Sequence, residues 1–349
     1  MDICCVKRHV WTFKLYEGEM TRHKLIIAAA TALMITFATA ALAETCPVPP
    51  PAVVDLDLTR FYADGAGSIV EPTRMEQHKL ETAPLVEFLG FVTNHADHAW
   101  RQRSNPSGTI TCALTWLKSW AQGGAYLGKM ASAQSESQRK WDLAGTALAY
   151  IKLRKWATPE DRAIIEPWLI KWADSARAVF DDATVKRNNH WYWLGLALGA
   201  VGIATDSDKH WQMAKGIMAD AAKDIGVDGT LSFEMARQAR ALYYHAFATM
   251  PLIALAELGA SKGEDWFALN DGALHRLVAK TAAGLADPKS FEAAAGVAQE
   301  VPARSGAGWV SLYTARFPDK LKTDIPQSAS HRWLGGDVHV LKGVLTSPH

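Results

Sequence analysis

Apolar residues recur along most of the chain at the three- and four-residue spacing that is typical of α-helices. Leu114, Leu117 and Trp120 follow this spacing, and the run 141–156 (WDLAGTALAYIKLRKW) is apolar on most of its faces. Strand-like alternation is nearly absent. The pattern therefore predicts an all-α protein, with further helices at 161–180 after Pro159 and at 190–204, 208–225, 234–258 and 265–285.

Helices this apolar, joined by short loops and without a heptad repeat, favour a double-layered helical toroid. Inner helices would be buried on nearly all sides, and outer helices would be amphipathic. A helical bundle is the alternative. No linker divides the chain, so 44–349 is predicted to be one domain, extended or loop-like to about residue 70. Pro251 falls inside a helical pattern, where proline is expected to kink or break the helix.

The first 43 residues have the organisation of an export signal. A basic patch at Arg22–Lys24 precedes an apolar run at 25–42, and Ala41-Leu42-Ala43 is a small-x-small cleavage site. Residues 1–43 are therefore predicted to be an N-terminal extension and signal peptide, with Met20 as the true start. The mature chain is expected to be periplasmic or secreted, without stable membrane association.

Two cysteines, Cys46 and Cys112, remain after this segment. An exported protein with two cysteines favours a single disulfide, and the alternative is two unpaired thiols. No Cys-x-x-Cys or His-Glu-x-x-His spacing occurs in the sequence, so neither a metal nor another cofactor is expected.

Composition excludes one class of partner. The formal net charge is +1, and it falls to about −1 without residues 1–43, which hold five basic and three acidic residues. This balance gives no electrostatic reason to expect nucleic-acid binding. The 49% of hydrophobic residues suit a globular core, and the 14 Trp suit packed helices or a cleft that stacks on sugars.

Three segments carry unusual polar chemistry for apolar helices. In 186–193 (KRNNHWYW), Asn189 and His190 are expected at a helix N-terminus, where backbone N–H groups favour an anion such as a substrate carboxylate. The alternative is that Asn188 or Asn189 only caps the helix and His190 only packs.

In the second segment, 237–247, Arg240 and Tyr244 are four residues apart and would share one helix face, with Arg237 one turn earlier. The alternative is a surface stripe with tyrosine packed on arginine stems. The third segment, 139–141 (RKW), is a cation–aromatic cluster that suits acidic sugars, or else a solvated face beside a core Trp.

These segments belong to a longer set of matching runs, and together they resemble the alginate lyase family of periplasmic polysaccharide lyases. The runs are 112–116 (CALTW), 139–141 (RKW), 188–190 with 192–193 (NNH, YW), 240–242 (RAL), 244–245 (YH), 251–252 (PL) and 332–336 (RWLGG). The resemblance spans nearly the whole mature chain. It implies an incomplete (α/α) toroid whose central cleft binds an acidic polysaccharide, and cleavage of mannuronate-type alginate by β-elimination without a metal.

The resemblance also implies roles for residues. Elimination next to a uronate carboxylate needs neutralisation of that charge, a base for the C5 proton and an acid for the leaving oxygen. By similarity Asn189 and Arg240 hold the carboxylate, and His190 neutralises charge or acts as the base. The expected substrate-binding residues are Arg139, Lys140, Trp141, Tyr192, Arg237, His245, Lys79 and Tyr62.

One position departs from the family pattern. The family's catalytic tyrosine stands seven residues after the arginine that matches Arg240, and here that position is Phe247. Tyr244 lies one helical turn from it, so we expect Tyr244 to be the acid and a candidate for the base, with Tyr243 in reserve. Neighbouring cations are expected to lower the pKa of Tyr244 and favour its phenolate.

This departure keeps other functions open. The protein could be a lyase on another polyuronate such as glucuronan, or a non-catalytic periplasmic protein that binds acidic polysaccharide. A glycoside hydrolase on an α/α toroid needs two carboxylates, for which Glu234, Asp228 and Asp142 are available. The protein is expected to be a monomer.

Overall fold

The computed structural model describes residues 46–102, 106–302, 307–322, 324–325 and 329–347, and these residues are mostly helical. Among them, two short strands, β1 (Ser330–His331) and β2 (Gly336–Asp337), pair in an antiparallel arrangement. The predicted all-α class is therefore confirmed. The α-helices are α1 Pro72–Arg101, α2 Ser107–Gln122, α3 Ala133–Leu153, α4 Pro159–Ala178, α5 Asn189–Ala204, α6 Asp208–Asp224, α7 Ser232–Met235, α8 Ala241–Ser261, α9 Leu269–Ala286, α10 Lys289–Ala295, α11 Gly308–Arg316 and α12 Val338–Thr346.

The helices form two layers. α3, α5 and α8 are buried along almost their whole length and lie side by side, α3 against α5 and α5 against α8. α4, α6 and α9 pack outside them and bury one face each. Glycines in α5 allow this close packing, because a Cβ on Gly199 would lie 2.7 Å from Leu255 Cδ1 of α8. The layering predicted from the apolar pattern is thus present.

The start of α4 illustrates how local sequence sets a helix boundary. α4 begins at Pro159, and the preceding Thr158 accepts a hydrogen bond from the Asp161 backbone N–H. The Asp161 carboxylate accepts the Thr158 backbone N–H in return, at 2.9 Å. Proline in the first turn lacks only an N–H that would have no partner there, so this capping box needs no tertiary contact to form.

The predicted single helix at 234–258 is wrong. The chain turns between α7 and α8 through a 3₁₀ segment at Gln238–Arg240, and Gln238 has a φ of 51°. A later segment holds this turn, because the Glu300 N–H donates to Ala239 O at 2.7 Å and Gln299 Oε1 accepts the Leu242 N–H at 3.0 Å. These long-range hydrogen bonds outweigh the continuous helical pattern.

The expected break at Pro251 is also wrong, because α8 continues through it to Ser261. The helix is long and apolar enough to cross a membrane, yet 94% of its most apolar window is buried within the protein. Packing on all sides holds the helix together where proline removes one backbone hydrogen bond.

A buried ion pair holds the C-terminal hairpin against the inner helices. Lys152 of α3 pairs with Asp97 of α1, and its ammonium also donates to Gly335 O at 2.7 Å and Asp337 O at 3.1 Å. Both charged side chains are almost fully buried, so their mutual pairing offsets the cost of removing them from water. The pair fixes the turn at Arg332–Leu334, which projects into the cleft described below.

Cys46 and Cys112 form the disulfide expected from the sequence, with their Cα atoms 5.1 Å apart. The segment after Cys46 continues along α2, where Trp116 and Trp120 donate their indole N–H groups to Pro47 O and Pro50 O at 2.8 and 2.9 Å. The predicted signal peptide, 1–43, lies outside the described residues. The division of the chain after Ala43 stays a prediction.

Removal of the disulfide should destabilise the fold, because the bond closes a loop across 66 positions of the sequence. We expect Cys46→Ser with Cys112→Ser to lower the free energy of unfolding by about 2–5 kcal/mol. Urea titration of both proteins, followed by tryptophan fluorescence, measures the difference. Equal unfolding midpoints would show that the indole contacts alone hold the N-terminal segment.

Candidate active site

A cleft of about 830 Å³ opens between the early segment, α1, α3, α8 and the C-terminal turn. Four of the described residues that line it are permanent cations, and one, Glu87, is a carboxylate. An anionic ligand is therefore favoured there. The cations are Arg60, Lys79, Arg237 and Arg332, and the other lining residues include His78, Gln134, Ser137, Gln138, Trp141, His190, Tyr62, Tyr243, Tyr244, Phe247 and Trp333.

Two tyrosines and an arginine form a chain of hydrogen bonds at one wall. Arg240 Nη1 donates to Tyr62 Oη at 2.6 Å, and Tyr62 Oη lies 2.7 Å from Tyr244 Oη. Either hydroxyl can donate across this second contact, because the Tyr62 oxygen keeps a lone pair beside the one that accepts from the guanidinium. When Tyr62 is the donor, the Tyr244 proton is left for a ligand in the cleft.

Two guanidinium groups lie against the tyrosine rings. That of Arg237 is 3.9 Å from the centroid of Tyr244, and that of Arg240 is 3.8 Å from the centroid of Tyr243. Arg237 also donates to Ala66 O, which fixes its position beside the early segment. The predicted cluster of Arg237, Arg240 and Tyr244 therefore exists, although a 3₁₀ turn rather than one helix brings it together.

The expected phenolate at Tyr244 is wrong. Burial raises the pKa of Tyr244 above its ordinary value, and the neighbouring Tyr62 raises it further. Arg237 and Arg240 lower the pKa, but by less than burial raises it. Tyr244 is consequently a neutral phenol that can donate a proton.

The pKa of His190 shifts in the opposite direction, downward. Burial lowers its pKa well below the ordinary value, and the positive charges of Lys140 and Arg237 lower it further. Its ring stacks near Trp141, with the centroids 5.8 Å apart, and Nδ1 lies 3.5 Å from Ser137 Oγ. The imidazole is therefore neutral near pH 7 and can accept a proton.

The N-terminus of α5 is occupied by the protein itself. Asn188 is the N-cap and accepts the His190 N–H at 3.1 Å. Glu234 accepts the Asn189 backbone N–H at 2.7 Å and the Asn189 side-chain amide at 3.1 Å. The carboxyl group at this helix end in the structure is that of Glu234, and binding of a substrate carboxylate by Asn189 stays a prediction. Asn189 is fully buried and does not line the cleft.

Arg240 is likewise held inside the wall. It is buried, its Nε lies 3.0 Å from Glu300 Oε2, and it reaches the cleft only through Tyr62 and Tyr243. Arg237 and Arg332 line the cleft instead, and the Arg332 guanidinium lies 4.8 Å from the centroid of a Trp333 ring. These two arginines are therefore better placed than Arg240 to meet a carboxylate.

Four other expected binding residues have internal partners and do not line the cleft. Arg139 pairs with Glu136 at 2.6 Å, and Tyr192 donates to Asp224 at 3.0 Å. His245 accepts the Leu231 N–H at 2.9 Å, and burial lowers its pKa to about 4. Lys140 is buried behind Trp141, and burial lowers its pKa to about 7.

Besides Arg237, three expected binding residues line the cleft. Trp141 and Tyr62 form part of its walls, and Lys79 lies at its exposed rim, where it pairs with Glu76 at 2.7 Å. The sequence reasoning missed Gln134, Ser137 and Gln138. Their spacing with Trp141 is that of one helix face, so polar residues at i, i+3 and i+4 on an otherwise buried helix were the available signal.

Phe247 stands in an aromatic wall. Its ring centroid lies 5.2 Å from that of Trp193, 5.6 Å from Trp141 and 6.1 Å from Trp333. The wall lines the cleft, but the side chain of Phe247 has no acidic hydrogen to donate. Tyr244, whose ring is 6.3 Å from that of Phe247, carries a hydroxyl on the same helix.

Residues 60–291 match the family described as alginate lyase. The chain is 38% identical over 320 residues to a "Polysaccharide lyase" of Stenotrophomonas maltophilia (strain K279a), covering 89% of this chain and 95% of the relative. It is 30% identical over 315 residues to an "Alginate lyase" of Azotobacter vinelandii, covering 85% and 83%.

The fold resembles the crystal structure of alginate lyase A1-III from Sphingomonas species A1. The TM-score is 0.74 at 23% identity, and the match covers 86% of each chain. A variant of that enzyme complexed with a tetrasaccharide matches with the same TM-score and covers 88% of this chain and 87% of the other. The likeness confirms the predicted α/α toroid.

Glu234 should be required for the geometry of this site. We expect Glu234→Gln to lower the free energy of unfolding by about 1–3 kcal/mol, because one acceptor oxygen of the buried pair with Asn189 becomes a donor. Denaturant titration measures this loss. Glu160→Gln, at an exposed first-turn position of α4, is the matched control and should change stability by less than 1 kcal/mol. Equal effects of the two variants would contradict a structural role for Glu234.

Proposed function

The chain belongs to the alginate lyase family and is a polysaccharide lyase, and from this premise we propose that it cleaves polymannuronate-type alginate by β-elimination. The observation that carries the proposal is the pair of opposed pKa shifts in one cationic cleft. Burial keeps His190 deprotonated and Tyr244 protonated, which provides a base and an acid at neutral pH. The tetrasaccharide complex of the A1-III variant supports a saccharide ligand in a fold of this kind.

The proposed reaction needs three groups. Arg237 and Arg332 neutralise the uronate carboxylate, which makes the C5 proton more acidic. His190 takes that proton, and the electron pair of the C5–H bond forms the C4–C5 double bond. The C4–O bond breaks, and Tyr244 donates its proton to the leaving oxygen. The products are an unsaturated uronate end and a new hydroxyl end.

Tyr62 and Arg240 support Tyr244 in this scheme. Once the phenol of Tyr244 has given up its proton, the Tyr62 hydroxyl, 2.7 Å away, turns its own proton toward the new phenolate. Arg240 donates to Tyr62 and so polarises that hydrogen bond toward Tyr244. In this proposal Arg240 acts through Tyr62 rather than on the substrate.

A second candidate is a lyase on another polyuronate such as glucuronan. Two observations favour it. Phe247 replaces the expected tyrosine within an aromatic wall, and the 38% identical relative is named a polysaccharide lyase without mention of alginate. The non-catalytic alternative has less support, because Tyr244 and His190 line the cleft in the required protonation states.

The glycoside hydrolase alternative finds no suitable pair of acids among the described residues that line the cleft. Asp142 and Glu234 are buried, and both oxygens of each accept hydrogen bonds from internal donors. Asp228 organises the exposed turn before Thr230. None of the three lines the cleft, so two carboxylates cannot flank a bond there.

We further propose that the mature protein is periplasmic. The Cys46–Cys112 bond supports this location, because disulfides persist in oxidising compartments. The apolar run before Ala43 supports export across the inner membrane. The monomeric state stays a prediction.

Tyr244→Phe tests the proposed acid directly. It removes one hydroxyl, so we expect turnover on polymannuronate to fall about 10²–10⁴-fold while thermal unfolding changes little. The assay is the ultraviolet absorbance of unsaturated uronate, on polymannuronate, polyguluronate, glucuronan and pectate. Tyr243→Phe is the matched control and should retain most activity.

Retained activity in Tyr244→Phe would reject Tyr244 as the acid. Phe247→Tyr should be neutral or mildly harmful in the wild-type background, because the added hydroxyl enters an aromatic wall. A wild-type chain that is silent on all four polymers and becomes active with Phe247→Tyr would support the non-catalytic alternative.

The pH profile tests His190. Because its pKa lies well below 6.5, the base stays deprotonated in mildly acidic solution, and kcat/KM should decline only below pH 6.5. Lys140→Met removes a buried charge that lowers the pKa of His190, so the acidic limb should move to higher pH. Lys79→Met, at the exposed rim, should leave the limb in place. An unchanged limb in Lys140→Met would reject His190 as the titrating base.

A further inference from the structure

Beneath the floor of the cleft lies a carboxylate that the proposed reaction does not use. Asp142, on α3, is 1% exposed and accepts hydrogen bonds from three side chains. Tyr126 donates to Oδ2 at 2.8 Å, Trp333 donates its indole N–H to Oδ1 at 2.9 Å, and Gln138 Nε2 lies 2.9 and 3.0 Å from the two oxygens. Two of these donors, Gln138 and Trp333, line the cleft.

The chemistry of these partners fixes the orientation of the Gln138 amide. The indole N–H of Trp333 can only donate, so Asp142 Oδ1, which also lies 2.9 Å from the Gln138 amide, is an acceptor. The Gln138 NH₂ group must therefore point toward Asp142, because the opposite orientation would place two acceptor oxygens in contact. The Gln138 carbonyl oxygen then points away from Asp142.

We propose that Asp142 is a positioning residue that presents the Gln138 carbonyl oxygen to the cleft, so that this subsite selects a sugar hydroxyl and disfavours a carboxylate or an esterified hydroxyl. The inference rests on the proposed lyase function, since it assigns a subsite in the same cleft. Arg237 and Arg332 bind the carboxylate, and the Gln138 carbonyl oxygen accepts a hydrogen bond from a sugar hydroxyl.

Trp333 gives the subsite its shape. Its rings pack near Trp141, with centroids 4.7 Å apart, and the indole N–H is taken by Asp142. A sugar ring that stacks on this wall would bring its hydroxyl edge toward α3, where Gln138 lies one turn before Trp141. Asp142 therefore sets both the stacking surface and the acceptor.

The consequence is a specific preference. A uronate with free C2 and C3 hydroxyls can donate to Gln138, whereas an O-acetylated uronate cannot. The loss of one such hydrogen bond corresponds to about a three- to tenfold weaker affinity. Wild type is therefore expected to bind mannuronate oligomers more tightly than their O-acetylated forms.

The experiment measures dissociation constants for a mannuronate tetrasaccharide and for the same tetrasaccharide after chemical O-acetylation. Tryptophan fluorescence reports binding, and the Tyr244→Phe background prevents turnover. Gln138→Met removes the acceptor at nearly constant size, so the two ligands should then bind with about equal affinity. Asp142→Asn places an amide beside Gln138, which lets the Gln138 NH₂ group face the cleft, and it should abolish the preference as well.

Tyr126→Phe is the matched control. It removes another donor to Asp142 but leaves Gln138 in place, so it should lower stability and keep the preference. In the otherwise wild-type background, Gln138→Met should raise KM on unacetylated polymannuronate about three- to tenfold with little change in kcat. A merely structural role of Gln138 would not raise KM while leaving kcat nearly unchanged.

An undiminished preference in Gln138→Met overturns the inference, because steric exclusion of the acetyl groups would then explain it. Equal affinities of the Tyr244→Phe protein, which retains Gln138, for the two tetrasaccharides also overturn the inference. So does a failure of this protein to bind either tetrasaccharide. If Asp142→Asn fails to fold, Gln138→Met alone decides. Failure of the proposed function is distinguishable, because it appears as no unsaturated product from wild type or as retained turnover in Tyr244→Phe.

Discussion

The buried contact between Glu234 and Asn189 is the constraint on which the site depends. A carboxylate without solvent is costly, and here the backbone and side-chain N–H groups of Asn189 and the dipole of α5 offset part of that cost, although burial still raises the pKa of Glu234. The contact joins α7 to the start of α5. His190 follows Asn189 directly and Arg237 lies three residues after Glu234, so one interaction places the proposed base and a carboxylate-binding cation on the same cleft.

Burial then decides the chemistry of these groups. The sequence reasoning weighed the cations near Tyr244 and concluded that the phenolate would form. In the folded protein the loss of solvent has the larger effect, so it raises the pKa of Tyr244 and lowers that of His190. Desolvation disfavours the charged form of each group. It therefore leaves one group able to donate a proton and the other able to accept one.

Three buried acids and four cations that line the cleft have different roles. Asp97, Asp142 and Glu234 are buried and serve as acceptors that orient other residues. Arg60, Lys79, Arg237 and Arg332 line the cleft itself. The buried acids hold the C-terminal turn, α3 and α5 in position, while the cations give the opening a charge that suits a polyuronate.

The sequence by itself determined the helical class, the layering, the cysteine pair and the polar segments around His190 and Tyr244, because these depend on local periodicity and residue type. Only the tertiary structure decided which polar groups remain available to a ligand. Glu234 reaches Asn189 across 45 positions, Tyr62 reaches Tyr244 across 182, and Trp333 reaches Asp142 across 191. Such contacts consume donors and remove solvent, and neither a hydrogen-bond partner nor a desolvation effect can be read from neighbours along the chain.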